Sequence, residues 1–156
     1  MLENKKIVIT GIANKFSIAN GIAKAMSKNG AELAFLYQNE RLLKRIKPIA
    51  EELGVETFVE CDVSSDDSID KAFSKIKTKW GKVDGLVHSI GFAPTDQLEG
   101  DFTEVTTREG FKIAHDISSY SFTALAKAAL PILSENAALL TLTYLCLLYT
   151  SDAADD

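Results

Sequence analysis

Cysteine is scarce here: only Cys61 and Cys146 occur in 156 residues. Their spacing fits neither a metal knuckle nor a Cys-x-x-Cys redox pair. That argues against a disulfide-built scaffold and for a reducing, cytoplasmic setting. Proline is limited to three residues, so no proline-rich linker divides the chain. No apolar run reaches the roughly 18 to 20 residues that span a bilayer, and "MLENKK" runs into a strand without the apolar core of a secretory signal. Basic charge is in deficit, with 17 Lys and Arg against 22 Asp and Glu, a formal charge of −5 and a pI near 5.1. Nucleic acid and anionic membranes are therefore poor candidates for the main partner. What is plentiful is apolar residues, 46% of the chain, enough for one domain with a substantial core.

The apolar residues fall into alternating strand and helix patterns. "KIVIT" (6–10) is a continuous β-branched run, as a strand covered on both faces requires. Ile18, Ile22 and Met26 recur every four residues in a helix over 18–29, with Gly30 placed to stop it. "AELAFLY" (31–37) is the second strand. A helix over 40–53 follows through Leu42, Leu43, Ile46, Ile49 and Leu53, with Pro48 expected to kink it or delay its start. "VETFVECDV" (55–63) is strand three, and Ile69, Phe73, Ile76 and Trp80 share one face of a helix over 66–80. "GLVHSIG" (85–91) is strand four, followed by a polar loop, a long helix over roughly 107–133, and "ALLTLTYL" (138–145) as strand five. This βαβαβαβαβ order predicts an α/β fold of Rossmann type: a doubly wound parallel sheet with helices on both faces.

In such a sheet a ligand lies across the carboxyl ends of the strands. After strand one come Gly11, which permits a tight turn and close backbone approach, and a loop to Ser17 and Ile18 at a helix N-terminus suited to phosphate. The usual closely spaced glycines are missing there; Lys15 and Ser17 stand in their place. Ser17 is expected both to cap the helix and to bind a phosphate oxygen. After strand two comes Gln38, an amide able to hydrogen-bond a ribose or adenine. After strand three come Asp62, an acceptor for an adenine amino group, and Val63, an apolar wall for its ring. After strand four come Ser89, Ile90 and Gly91, small enough to approach an inner ribose. Taken singly, Gly11 reads as a turn glycine, Ser17 as a helix cap and Asp62 as an Asx-turn residue. His88 reads as a strand-end residue in a satisfied network, and His115 as a helix-surface or interface residue. Registration after four successive strands turns these separate readings into one dinucleotide site.

"TGIANKFSIANGIAKAM", "GAELAFLYQNE", "CDVSSDDSID", "VDGLVHSIGFAP" and "TREGFKIAHDISSYSF" carry a closer likeness. Over about residues 5–145 the chain resembles the NADH-dependent enoyl-acyl-carrier-protein reductases of bacterial fatty acid synthesis, divergent members of the short-chain dehydrogenase/reductase superfamily. The Lys15/Ser17 loop and "HSIGFAP" mark that branch, whereas the wider superfamily has a TGxxxGxG loop. The resemblance implies NADH/NAD contacts at Gly11, Ser17, Ile18, Gln38, Asp62, Val63 and Ile90, with Ser89 and Gly91 beside them. It implies a substrate contact at Ala93 and a catalytic role for Tyr144, the first of two active-site tyrosines. The implied reaction passes a hydride to the β-carbon of a trans-2-enoyl thioester on acyl carrier protein, with the developing enolate held by a tyrosine hydroxyl and a lysine.

After Leu145 the likeness stops. The family continues to a second tyrosine, six intervening residues and the lysine; here "CLLYTSDAADD" follows. Tyr144 would need a lysine at Ser151, and Tyr149 one at Asp156. The tail resembles a translated sequencing adapter. The expectation is thus a dinucleotide-binding domain over 1–145, truncated after strand five, with a non-native tail over 146–156, inactive and poorly soluble as a polypeptide. Two other classes stay open: a different short-chain reductase acting on ketones or alcohols, and a non-catalytic NAD-binding module. Gln38, Asn39 and Glu40 offer nothing to a 2′-phosphate, which favours NADH over NADPH, although Arg41 lies one turn on. Phe111, Ile117, Tyr120, Phe122 and Leu125 spread around more than one face of the 107–133 helix. Burial between subunits follows as an expectation, in a homotetramer like others of the superfamily.

Overall fold

A computed structural model describes residues 1–143; Tyr144 and the expected foreign tail, 146–156, lie outside that range. Five strands, β1 (Lys6–Ile9), β2 (Glu32–Tyr37), β3 (Thr57–Glu60), β4 (Val83–His88) and β5 (Leu133–Thr141), form one parallel sheet in the order β3-β2-β1-β4-β5. The order reverses between β1 and β4, so a crevice opens at the carboxyl ends of those two strands. Helices α1 (Ile18–Lys28) and α2 (Glu40–Leu53) cover one face, and α3 (Asp66–Trp80) and α6 (Ser121–Ala129) the other. The short α4 (Phe102–Val105) and α5 (Arg108–His115) lie between β4 and α6.

Period-two alternation explains why both faces are apolar. Ile7, Ile9, Leu33, Phe35 and Val87 pack toward α1 and α2, while Val8, Ala34, Leu36 and Leu86 pack toward α3 and α6. Each fully buried side chain of this kind contributes about 1.5–3 kcal/mol. The expected stripe of α3 is all buried: Ile69, Phe73, Ile76 and Trp80. On α1 the expected stripe is corrected. Ile18 is exposed, and Ala19 and Ala23 are the residues pressed onto the sheet, with Ile22 and Met26 half-buried beside them. Small side chains at the contact let the helix axis sit close to the strands.

Other boundaries shift for identifiable reasons. Pro48 does not delay α2, which starts at Glu40 behind the Asn39 side-chain cap. Pro48 is exposed while Ile46, Ile49 and Ala50 are buried, so the proline sits on the outer face of the helix. Strand three is confined to Thr57–Glu60 and strand four begins earlier, at Val83. Strand five starts at Leu133 rather than 138, because an irregular stretch separates the Val83–Leu133 pair from the regular ladder that begins at Gly85–Ala138. At its start a carboxylate gathers three elements: Asp84 accepts from the Lys6 N–H at 3.0 Å, the Lys5 ammonium at 3.1 Å and the Ser134 hydroxyl at 2.9 Å. The Lys6 N–H first, then the other two donors, hold its carboxyl below the ordinary range.

The long helix expected over 107–133 is not one helix. The chain passes from α5 through a five-residue π-helical segment, Asp116–Tyr120, into α6, and closes with a 3₁₀ turn at Leu130–Ile132. The Ser121 N–H reaches back to the Asp116 carbonyl. This widening turns Ser121 inward, where its hydroxyl donates to the Ile117 carbonyl at 2.6 Å and meets His88 Nε2 at 2.8 Å. Since the serine proton is committed to Ile117, His88 Nε2 carries a proton and donates, and Nδ1 accepts from the Thr141 hydroxyl at 3.0 Å. One neutral imidazole thereby ties β4 to β5 and α6. Phe122 lies 5.6 Å from its ring. The expectation of a satisfied strand-end histidine holds.

Two outcomes test this architecture. His88 is 1% exposed, and burial holds its pKa below the ordinary 6.5. Below about pH 6.5 the unfolded chain gains a proton that the folded chain refuses, so stability falls as pH drops. The slope of melting temperature against pH between about 5 and 7 is expected to be shallower in His88→Asn, by differential scanning calorimetry. The second outcome concerns Gly11, at φ +83°, where an added Cβ would lie 1.8 Å from the Ser89 carbonyl oxygen. Gly11→Ala is expected to cost at least about 2 kcal/mol, roughly 4–8 °C in melting temperature. Gly91→Ala, with nothing within 4 Å of its Cβ position, should melt near the parent.

Candidate functional site

The crevice at the switch point is a cleft of about 330 Å³, within the usual range for small-molecule sites. Four strand ends contribute to it. From β1 come Thr10, Gly11, Ile12 and Ala13; from β2, Leu36, Tyr37 and Gln38; from β3, Cys61, Asp62 and Val63; from β4, Ser89 through Phe92. Seven of the residues expected at a site therefore meet in one place: Gly11, Gln38, Asp62, Val63, Ser89, Ile90 and Gly91. Ser17, Ile18 and Ala93 do not line the cleft, and Tyr144 lies outside the described residues.

The floor is fixed by the close crossing of β1 and β4. The Thr10 N–H and hydroxyl both donate to the Val87 carbonyl, at 2.9 and 3.0 Å, and the Ser89 N–H donates to the Thr10 hydroxyl at 3.3 Å. Thr10 is 1% exposed, so these bonds are shielded from water and hold the two strand ends in register. Only glycine fits at residue 11 against the Ser89 carbonyl.

Ser17 departs from expectation. Its hydroxyl makes no capping bond to α1; it accepts from the Ala13 and Asn14 N–H groups, at 3.0 and 3.1 Å. The serine thus fastens the loop that precedes it, and its own proton is free to donate outward. Asn14 and Asn20 complete the loop, Asn14 Oδ1 accepting from the Phe16 N–H at 2.8 Å and Asn20 Nδ2 donating to the Lys15 carbonyl at 2.8 Å. The first N–H groups of α1, those of Ile18 and Ala19, have no partner among the described residues. Ile18 is exposed and Ala19 buried, so the Ile18 N–H is the open donor at this end of the helix, a position suited to an anion.

On the far side, the Asx turn anticipated at Asp62 is present: Oδ1 accepts from the Ser64 N–H and hydroxyl at 3.0 and 2.7 Å. The turn holds the carboxylate at the cleft edge beside the half-buried Val63. Cys61 in the wall is no nucleophile, because burial first and the Asp62 charge second push its thiol up to about 12. Gln38 is exposed at the rim, its amide oxygen 3.4 Å from Asn39 Nδ2. Taken together, the cleft has an apolar slot bounded by Leu36, Leu42 and Val63, polar groups at its rim, and helix N–H donors at one end. That donor set fits a heteroaromatic ring, a ribose and a phosphate bridge in sequence. Among the described residues no cluster of His, Cys, Asp and Glu could hold a metal ion, and no helix is long and apolar enough to cross a membrane.

Sequence reasoning missed Thr10, Phe92, Ile117 and Ser118. Thr10 was in plain view as the last residue of "KIVIT", a hydroxyl closing an apolar strand. Ile117 enters the cleft from the π-helical segment. Ser118 clips Phe92: its hydroxyl accepts from the Phe92 N–H at 2.9 Å and donates to the Phe92 carbonyl at 3.0 Å.

Comparison with known proteins agrees with this geometry. A family model described as Enoyl-(Acyl carrier protein) reductase matches residues 11–153. The chain is 57% identical over 144 residues to the NADH enoyl-acyl-carrier-protein reductase FabI of Escherichia coli (strain K12), covering 92% of this chain and 55% of that protein. It is 52% identical, with the same coverage, to the FabI of Haemophilus influenzae. Among solved structures, the enoyl-acyl-carrier-protein reductase of Anaplasma phagocytophilum in complex with NAD superposes with a TM-score of 0.87 at 42% identity, covering 92% of this chain and 55% of that one. The chain thus spans about half the length of the curated relatives it matches. By sequence and by fold, the chain belongs to the enoyl-acyl-carrier-protein reductase family of short-chain dehydrogenases/reductases.

Proposed function

We propose that the protein is an NADH-dependent enoyl reductase of fatty acid elongation, working in the cytoplasm on trans-2-enoyl thioesters of acyl carrier protein. The observation that carries this reading is the convergence of residues after four successive strands on one cleft, in a chain 57% identical to an NADH enoyl-acyl-carrier-protein reductase.

In this reading Val63 packs against the adenine ring, and Asp62 accepts from its amino group. The Gln38 amide bonds the adenosine ribose. The Ser17 hydroxyl and the Ile18 N–H hold the pyrophosphate, Gly11 lets the chain pass close beneath it, and Ser89, Ile90 and Gly91 bracket the second ribose. NADH, when bound, supplies the hydride. The family resemblance gives Ala93 a substrate contact and Tyr144 a catalytic role; a tyrosine hydroxyl that donates to the thioester oxygen stabilises the enolate as charge develops. A single donor in such a position is worth about 10²- to 10³-fold in rate.

Three measurements test this reading. A protein that spans the relatives' full length and carries these residues should oxidise NADH in the presence of crotonyl thioester. Its KM for NADH should be lower than for NADPH, since Gln38, Asn39 and Glu40 offer no positive charge to a 2′-phosphate and Arg41 lies one turn further on. Preference for a 3-ketoacyl thioester would assign it to another short-chain reductase, and NADH binding without turnover would leave a nucleotide-binding module. The same protein should be a homotetramer by light scattering at micromolar concentration. Phe111 and Tyr120 support that assembly: they remain 59% and 51% exposed on the helical stretch between β4 and β5. A monomeric mass would overturn it.

A further inference from the structure

We propose that Ser118 is a positioning residue that sets the shape of the 89–92 segment for the nicotinamide half of the cofactor. The inference rests on the reading of the cleft as an NADH site. After β4 the chain leaves the sheet, and two hydroxyls bracket the part that lines the cleft. Thr10 receives the Ser89 N–H at one end. At the other, the Ser118 hydroxyl engages both polar groups of the Phe92 main chain. Among the described residues, the main chain of Ile90 and Gly91 between the two brackets forms no hydrogen bond.

The Ser118 bracket is built by an irregular feature. A serine within a helix ordinarily bonds back to the carbonyl four residues earlier. Here the π-helical segment redirects the hydroxyl across to a loop 26 residues away in sequence. The same five residues place Ile117 in the cleft and offer the Ile117 carbonyl to Ser121, which in turn holds His88 at the end of β4. A π-helical turn interrupts regular bonding, and such turns recur where a functional group must be aimed. Among the described residues, the side-chain hydrogen bonds traced from it, directly through Ser118 and by way of Ser121, end on His88 of β4 and Phe92 of the loop that follows. Ile117 shares the cleft with Gln38, Asp62 and Val63 on the adenosine side, but the Ser118 hydroxyl bonds only the Phe92 main chain.

That separation gives the test. The full chain is titrated with NADH by fluorescence and with ADP by calorimetry, as the parent, Ser118→Ala and Ser118→Thr. Ser118→Ala should weaken NADH about tenfold and leave ADP within about twofold, with melting within about 4 °C of the parent. Ser118→Thr, which keeps the hydroxyl, should recover most of the NADH affinity. Three results would overturn the inference: unchanged NADH binding in Ser118→Ala, a parallel loss of ADP, or no recovery in Ser118→Thr. A parent that binds neither NADH nor ADP would instead remove the reading of the cleft, and the inference with it.

Discussion

Everything at the carboxyl edge of this sheet depends on how closely β1 and β4 cross. Parallel strands normally diverge as they leave the sheet. Here the Thr10 side chain and main chain hold Val87 and Ser89, and residue 11 passes so near the Ser89 carbonyl that no side chain fits between. The crossing fixes the floor of the cleft and the starting direction of both flanking loops. A loop that started elsewhere would send the N-terminus of α1 away from the crevice. The positive φ at Gly11 is strain-free only because glycine has no Cβ.

A second constraint works from the other side. His88, neutral and buried, receives the Thr141 hydroxyl and donates to Ser121, so one side chain links the ends of β4 and β5 to the start of α6. The π-helical segment just before α6 then carries Ile117 and Ser118 to the cleft. Polar groups buried in low dielectric specify geometry strongly when all are satisfied, and this chain of donors and acceptors is satisfied from Thr141 to the Ile117 carbonyl. Ser17 shows the same economy on the opposite rim: it gives up a helix cap to fasten the loop before it.

Much of this was legible before any coordinates. The alternation of β-branched runs with helical stripes predicts the parallel sheet and its two faces, because a strand buried on both sides must be apolar at every position. Registration after successive strands located seven of the cleft residues, since a parallel sheet necessarily collects its strand ends on one edge. The misses have a common cause. Ile18 looked like a core residue because periodicity gives spacing but not which neighbouring element is close enough to touch. Ser17 looked like a cap because its position fits one, although two N–H groups behind it compete successfully for the same oxygen.

The sequence by itself determined the fold class, the strand edge that bears the site and the chemical kinds of group found there, because these follow from local periodicity and chain order. Only the tertiary structure decided which hydroxyl meets which backbone group. Thr10 with Ser89 and Ser118 with Phe92 are pairs separated by 79 and 26 residues, joined through a strand crossing and a widened helical turn. Neither leaves a mark in the local pattern, because each depends on the sheet and helices having already packed.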